Sequence, residues 1–502
     1  MIELDGETLT LEALERIAVG HERVALAAPA RARVAAARAV VDARAEAGAP
    51  AYGINTGFGA LADVAIRPDQ LSALQLNLLR SHAAGVGEPL GDAEVRALMA
   101  LRANVLAKGY SGIRVETLEA LIALLNSGVI PVVPSRGSVG ASGDLAPLAH
   151  LALVLIGEGE VRAGTGLAGQ EPAPKRPVSI TLGPKEGLAL INGTQASTAV
   201  LALAVLAAER LARAADVAAA MSVDALRGSA HPFEARLHAV RPVPGQMASA
   251  ANLSRLLAGS GINQSHEHCG KVQDAYALRC APQVHGSARE AIAFARRLAA
   301  IEANAATDNP MVFADAGEIV SGGNFHGAPV ALAADTLAIG LAQLTTISER
   351  RTDRLMTAHE SGLPPFLIRD SGLNSGLMMA HVTAAALTSE IKALAHPAAA
   401  DTIPTSAGRE DHVSMSMGAA LKAARAVDLA RLVVAIELLA ACQALDLLAP
   451  LASSPPIERV RAGIRRVVPP LVVDRPPSAD IEAIAALVAS GGIVGTAAID
   501  LQ

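Results

Sequence analysis

The chain has 502 residues, enough for two or three packed regions instead of one simple core. Hydrophobic residues make up 51% but aromatics only 2%, with no Trp, so the interior must be filled by Ala, Leu, Val and Ile, side chains that suit closely packed helices. The net charge of −6 is spread out, without a basic run or zinc-finger spacing, and the three cysteines (Cys269, Cys280, Cys442) are scattered; nucleic acid as a partner and a disulfide framework are both excluded.

The N-terminus carries Glu3 and Asp5 in place of the charged-then-apolar pattern of a secretion signal, which points to the cytosol. Up to about Ala51 the pattern predicts a short strand and helices, among them the Ala/Arg-rich run Pro29 to Ala47. Three glycines in seven positions then make Tyr52 to Gly59 a loop that approaches something closely. Helices are predicted over Pro68 to Ser81, Asp92 to Ala107 and Val115 to Ser127. Pro131, Pro134, Gly137, Gly140 and Gly143 punctuate an irregular segment, with no clear strand in it, before an apolar helix over Leu145 to Gly157.

The stretch Gly157 to Pro177, rich in Gly and Pro, reads as a surface connection with a domain boundary just after it. Gly187 to Ala208 is uncharged and long enough to be weighed as a membrane span. Polar residues from Asn192 to Thr198 crowd its first half, so it reads as a polar loop feeding a buried helix, and no membrane is expected. Long Ala/Leu/Val stretches follow at Ala196 to Met221, Gly286 to Ala303, Ala328 to Met356, Leu373 to Ala395 and Ser416 to Leu448. The expected fold is mainly α: an N-terminal mixed, loop-rich region (1–180), a central long-helix bundle (181–448), and a small C-terminal helical cap (449–502) with Pro-Pro pairs from Pro455, Pro469 and Pro476.

Chemistry is expected where polar, Gly-containing loops interrupt this helical chain. In Ser135 to His150 one reading is a Gly-rich turn with Ser142 or Asp144 capping the next helix. A phosphate cradle lacks its Gly-Lys-Ser/Thr, and Gly-Ala-Ser-Gly-Asp does not fit the nucleophile elbow Gly-x-Ser-x-Gly. Another chemistry fits: in a tight turn the nitrogen of Gly143 can be pressed against the carbonyl carbon of Ala141, both residues being small. Ring closure with loss of two waters, one from the backbone and one from Ser142, leaves a five-membered ring bearing an electrophilic methylene. Ser265-His-Glu-His-Cys269 invites a metal reading, but His266 and His268 at i, i+2 do not share a helix face and no second ligand cluster has zinc spacing; no metal is expected.

With these blocks in order, Tyr52 to Gly59, Ser81 to Gly85, Gly137 to His150, Leu190 to Ser197, Lys271 to Cys280, Ser321 to His326, Leu363 to Leu367 and Glu410 to Met415, the chain resembles the histidine ammonia-lyase family, within the wider aromatic amino acid ammonia-lyases. The resemblance implies a 4-methylidene-imidazol-5-one (MIO) made from Ala141, Ser142 and Gly143, with no external cofactor. It implies that Tyr52 removes the β-proton as a phenolate whose pKa is lowered by its surroundings, that Arg279 binds the substrate carboxylate, and that Asn192 and Gln273 hold the ring and the substrate's polar groups. Tyr276 and Phe325 shape and polarise the site, and Asp144 fixes the turn. A cytoplasmic homotetramer with shared active sites is also implied.

The implied reaction is elimination of ammonia from L-histidine to trans-urocanate, the first step of histidine degradation. Glu410, catalytic by resemblance, favours histidine: a carboxylate buried against a benzene ring costs several kcal/mol unless paired, whereas imidazole offers it an N–H. His82 faces the substrate imidazole by the same resemblance, and Met378 supplies an apolar wall. Two departures bear on this: Arg409, where Gln is usual, could pair with Glu410 or shift it, and His381 also stands where Gln is common. A tyrosine or phenylalanine lyase, an aminomutase of the same chemistry, and an inactive helical scaffold are the competing readings.

Overall fold

The computed structural model describes residues 1–47, 50–163 and 179–502; residues 164–177 of the expected surface connection lie outside the described residues. The architecture is mainly helical, with small two-stranded sheets between the helices. By contacts the chain forms two compact units, residues 1–203, 295–335 and 397–421 in the first, and 204–294, 336–396 and 422–502 in the second.

The first unit is organised by the helix Asp92–Ala107, whose residues from Val95 onward are all buried. A helix covered all round must find partners for its own charges within the protein. Arg96 donates to the carbonyls of Ile17 and Leu125, fastening the helices Leu11–Ala18 and Val115–Ser127 against it. Ala37, Val41, Ile54 and Val312 form a further apolar cluster, which brings the loop after Tyr52 onto the helix Ala28–Glu46. The antiparallel pair Val86–Pro89 and Pro134–Arg136 ties the end of the helix Leu71–His82 to the segment leading into Gly140. Sequence patterning does not reveal this second strand. It is three residues long, contains Pro134, and shows no alternation from which to read a period.

The second unit packs Ala-rich helices closely; a Cβ added at Gly340 would lie 2.7 Å from that of Ala291. Its interior also holds an ionic network. Fully buried Arg351 makes a two-pronged contact with Glu437 at 2.5 and 2.9 Å, and Ser222 and Ser348 donate to the same carboxylate. Arg351 also lies 3.3 Å from Nε2 of His285, whose Nδ1 donates to Asp216 at 2.7 Å, and Arg289, Ser249 and Asn252 complete the shell of Asp216. Because arginine only donates, Nε2 of His285 must accept, and the imidazole is neutral.

Most helix limits agree with the sequence pattern, and Asp92–Ala107, Val115–Ser127 and Ala328–Met356 agree at both ends. Leu373 to Ala395 begins late, at Met378. Gly376 has φ +61°, and the carboxylate of Asp474 accepts the N–H groups of Ser375 and Gly376 at 2.7 and 2.9 Å, holding residues 375–376 out of the helix. Tail helices Pro455–Arg465, Ser478–Ala489 and Gly492–Ala497 are present as expected.

Replacing Glu437 by Leu strands the buried Arg351 charge, and loss of one partner of such a pair costs about 3–5 kcal/mol. Thermal unfolding followed by far-UV circular dichroism should show a clear fall in Tm; an unchanged Tm would mean that the network is dispensable.

Candidate functional site

In the turn 138–144, Gly140 and Gly143 have φ +67° and +69°, and a Cβ at Gly143 would sit 2.2 Å from the carbonyl oxygen of Gly193. Only glycine fits there. The two backbones are joined by a bridge between Gly143 and Gly193 and by the Asp144 N–H donating to Gly193 O at 2.7 Å. Asp144 stands at the N-cap of Leu145–Leu155 but does not cap it. Its fully buried carboxylate instead accepts from Ser138 Oγ at 2.8 Å and from the Ser197 N–H and Oγ at 2.7 and 2.8 Å. Burial pushes this carboxyl above its ordinary value, while the hydrogen bonds from Ser197 and Ser138 oppose the rise.

Two further segments converge on this turn. Gly140 O accepts from Ser414 Oγ at 2.9 Å and from Gly327 N–H at 3.2 Å, and Met415 N–H donates to Val139 O at 2.8 Å. The Gly327 bond ties in the turn that carries half-buried Phe325. Ala141 and Gly143 are buried while Ser142 between them is half-buried. The turn thus combines small residues at 141 and 143, a positive φ at Gly143 and a half-buried Ser142 between them.

Asn192, 2% exposed, immediately precedes Gly193. Its Nδ2 donates to Asp308 Oδ1 at 3.3 Å and to Asn309 O at 3.0 Å, while its Oδ1 is buried without a hydrogen-bond partner among the described residues. Arg102 donates to the backbone carbonyl of Asn192 and to the side chain of Gln195, and buried Lys185 pairs with Asp308 at 2.9 Å. Arg102, Lys185 and Asp308 escape motif reading. Their one visible signal is charge at the edge of, or inside, apolar segments.

Tyr52 stacks edge-on against Phe58, and its Oη accepts from the Gly59 N–H at 3.4 Å. Burial raises the phenol above its ordinary value; the Gly59 bond opposes this, and Glu410 and Asp308 add to it. That is the reverse of the expected lowering, because burial disfavours the phenolate and the carboxylates acting on it add to the rise. Glu410 closes a small hairpin with Thr405, whose hydroxyl donates to its carboxylate. Ser406 and Ala407 have positive φ in that turn, and Ser406 Oγ lies 2.8 Å from where a Cβ on Gly59 would stand, so the Glu410 and Tyr52 loops meet. Arg409 turns away from Glu410 and pairs at 3.5 Å with exposed Asp63.

Half-buried His82 ends the helix Leu71–His82 with Nδ1 2.9 Å from Leu78 O. A carbonyl only accepts, so Nδ1 carries the proton and neutral His82 keeps Nε2 as an acceptor. Burial lowers its pKa, against which the Leu78 bond and Glu410 act.

The remaining named residues belong to the second unit. Tyr276 is 70% exposed, with the Arg279 guanidinium 4.6 Å from its ring centroid, and Arg279 Nε donates to Asp274 O at 3.0 Å. Gln273 and Arg279 line an open groove of about 1160 Å³ that also takes in His266 and Cys269. The ring nitrogens of His266 face the carbonyls of Ile262 and Gly228. Met378, at the start of its helix, is 36% exposed. His381 bonds Glu349 at 2.9 Å; although burial would raise that carboxyl, His381 and Arg350 hold it down at about 2.

A family model described as aromatic amino acid lyase matches residues 9–466. A histidine ammonia-lyase of Anaeromyxobacter sp. (strain K) is 59% identical over 501 residues, covering 98% of this chain and 99% of that protein. Among solved structures, histidine ammonia-lyase from Trypanosoma cruzi superposes with a TM-score of 0.91 at 46% identity, over 99% of this chain and 95% of that one. A tyrosine aminomutase from Streptomyces globisporus gives 0.93 at 38% identity, over the whole of both.

Glu349 carries a pH signature. Its depressed pKa stabilises the fold above the ordinary carboxylate range, and that contribution is lost as pH falls from about 4.5 toward 2. Urea unfolding across that window should show a steeper loss for the native chain than for His381→Gln; parallel losses would remove His381 as the cause.

Proposed function

This chain belongs to the aromatic amino acid lyase family, and from that premise we propose that it eliminates ammonia from L-histidine to give trans-urocanate. The elimination must overcome a barely acidic β-proton and a poor amine leaving group. Residues 141–143 would supply an MIO, an electrophile able to capture the amine. Asn192 and Gly193 back the turn that would carry it, and Phe325 sits on a segment bonded to the same turn.

The observation that carries histidine as substrate is the pair formed by His82 and Glu410. A neutral His82 with Nε2 free and a carboxylate near enough to influence it present two acceptors. Imidazole has an N–H to give one acceptor and, when protonated, a second for the other; a phenol has one donor and a phenyl ring none. The turn of Arg409 toward Asp63 leaves Glu410 without that cation. A tyrosine or phenylalanine side chain would leave one or both acceptors without a donor from the substrate.

Tyr52 takes the β-proton. Its raised pKa leaves little phenolate at neutral pH, so the rate rises as the solution becomes alkaline. Arg279 binds the carboxylate with its planar fork of donors, and Gln273, Tyr276 and Met378 contact the substrate, in a cytoplasmic homotetramer whose subunits share active sites.

Purified protein is expected to release urocanate from L-histidine and neither coumarate nor cinnamate from tyrosine or phenylalanine; the opposite pattern assigns an aromatic substrate. Glu410→Gln should lower kcat/KM for histidine by about 10- to 100-fold, the worth of one charge-assisted hydrogen bond.

The peptide containing residues 141–143 should weigh two waters less than its sequence requires. In Ser142→Ala it should keep the full mass, with turnover lost. An unmodified native peptide would argue for an inactive scaffold. The profile of kcat/KM should climb between about pH 7 and 10 and Tyr52→Phe should abolish turnover; a flat profile would assign the base elsewhere.

A further inference from the structure

The amide of Asn192 can face its surroundings in two ways, and the residues behind it permit one. Both groups within reach of its nitrogen, the Asp308 carboxylate and the Asn309 backbone carbonyl, are acceptors. Turning the amide over would set its oxygen against two other oxygens and strand both. The arrangement depends on Asp308 being ionised in a fully buried place, where an isolated carboxylate is not tolerated. Lys185 supplies the compensation: its ammonium, equally buried, bonds Asp308 Oδ2 at 2.9 Å, and Asp308 Oδ1 is shared between Asn192 Nδ2 and the Asn309 N–H at 2.7 Å. Arg102 fixes the same residue from the backbone side through Asn192 O at 2.8 Å.

What remains is the Oδ1 of Asn192, buried, without a donor among the described residues, on the residue next to the Gly193 that touches Gly143. An acceptor left this way is unfavourable until something donates to it. We propose that Lys185 and Asp308 are positioning residues that lock Asn192 as a hydrogen-bond acceptor for the amino group of the substrate, so that Asn192 serves the amine and not the carboxylate. This rests on the amino acid lyase reading above. Asn192 distinguishes a primary ammonium, which only donates, from a carboxylate, which only accepts.

The test separates those two ends of the substrate with two inhibitors. Histamine keeps the amine and lacks the carboxylate; imidazolepropionate keeps the carboxylate and lacks the amine. In Lys185→Met/Asp308→Asn both charges leave together and the side chains keep their approximate size, but the introduced amide can turn either way, so that only the Asn309 carbonyl is left to orient Asn192. Inhibition by histamine should weaken about tenfold or more, while that by imidazolepropionate stays within about twofold. Equal weakening of both would show a merely structural pair, selective loss of imidazolepropionate would assign Asn192 to the carboxylate, and no change in either would remove the role; each overturns the proposal.

Should the double variant not fold, a crystal structure of the native protein with histamine gives the answer. The amine nitrogen within hydrogen-bond distance of Asn192 Oδ1 is expected, and its absence there overturns the proposal. Absence of urocanate from the native enzyme, or an unmodified 141–143 peptide, would be a failure of the lyase reading. Turnover and ring formation without the inhibitor selectivity would be a failure of this inference alone.

Discussion

The contact between the backbones of Gly143 and Gly193 is the constraint on which the first unit's functional region turns. Neither residue has room for a side chain: a Cβ at Gly143 would overlap the Gly193 carbonyl, and one at Gly193 would meet the side chains of Gln195, Arg102 and Thr307 at 2.5–2.7 Å. Two main chains brought this close leave polar groups that water cannot reach, and the surrounding side chains answer that need. Asp144 takes the Ser197 and Ser138 donors on one side of the contact; Arg102 takes the carbonyls around Asn192 on the other. The buried charges of this region follow from backbone geometry before they follow from any chemistry on a substrate.

The same economy governs the second unit in a different form. Alanine lets helices approach closely but contributes little apolar surface per residue. Specific polar locks set the arrangement there, above all Arg351 with Glu437 and Asp216 with His285 and Arg289. Buried ion pairs of this kind gain little net stability over apolar replacements, yet each partner is costly to lose alone.

Much of this was legible in the chain itself. Helical periods located the long elements because a long apolar stripe is repeated many times within each, and the glycines at 140 and 143 announced a turn because no other residue adopts positive φ at so little cost. The short strands were not legible, since three residues hold too little periodicity. Nor was the start of the helix at Met378, which depends on Asp474, about a hundred residues further along. Within the candidate site, motif residues such as His82 and Glu410 could be named, but their protonation and partners could not. The tautomer of His82 is set by a backbone carbonyl, and the partner of Arg409 is Asp63 from a distant loop. The direction of the Tyr52 shift runs against the expectation because a motif names a role without the burial that raises the phenol.

The scarcity of aromatic residues also decides which parts of the molecule can be watched by light. With no tryptophan, intrinsic emission comes from three tyrosines, of which Tyr52 and Tyr110 lie in the first unit and Tyr276 is largely exposed in the second. The Ala-filled helices of the second unit are therefore nearly silent in fluorescence, and a tyrosine signal reports on the surroundings of the site and not on the bundle. Loss of structure in the two units can be separated by comparing that signal with the far-ultraviolet helical signal, each method being blind to much of what the other follows.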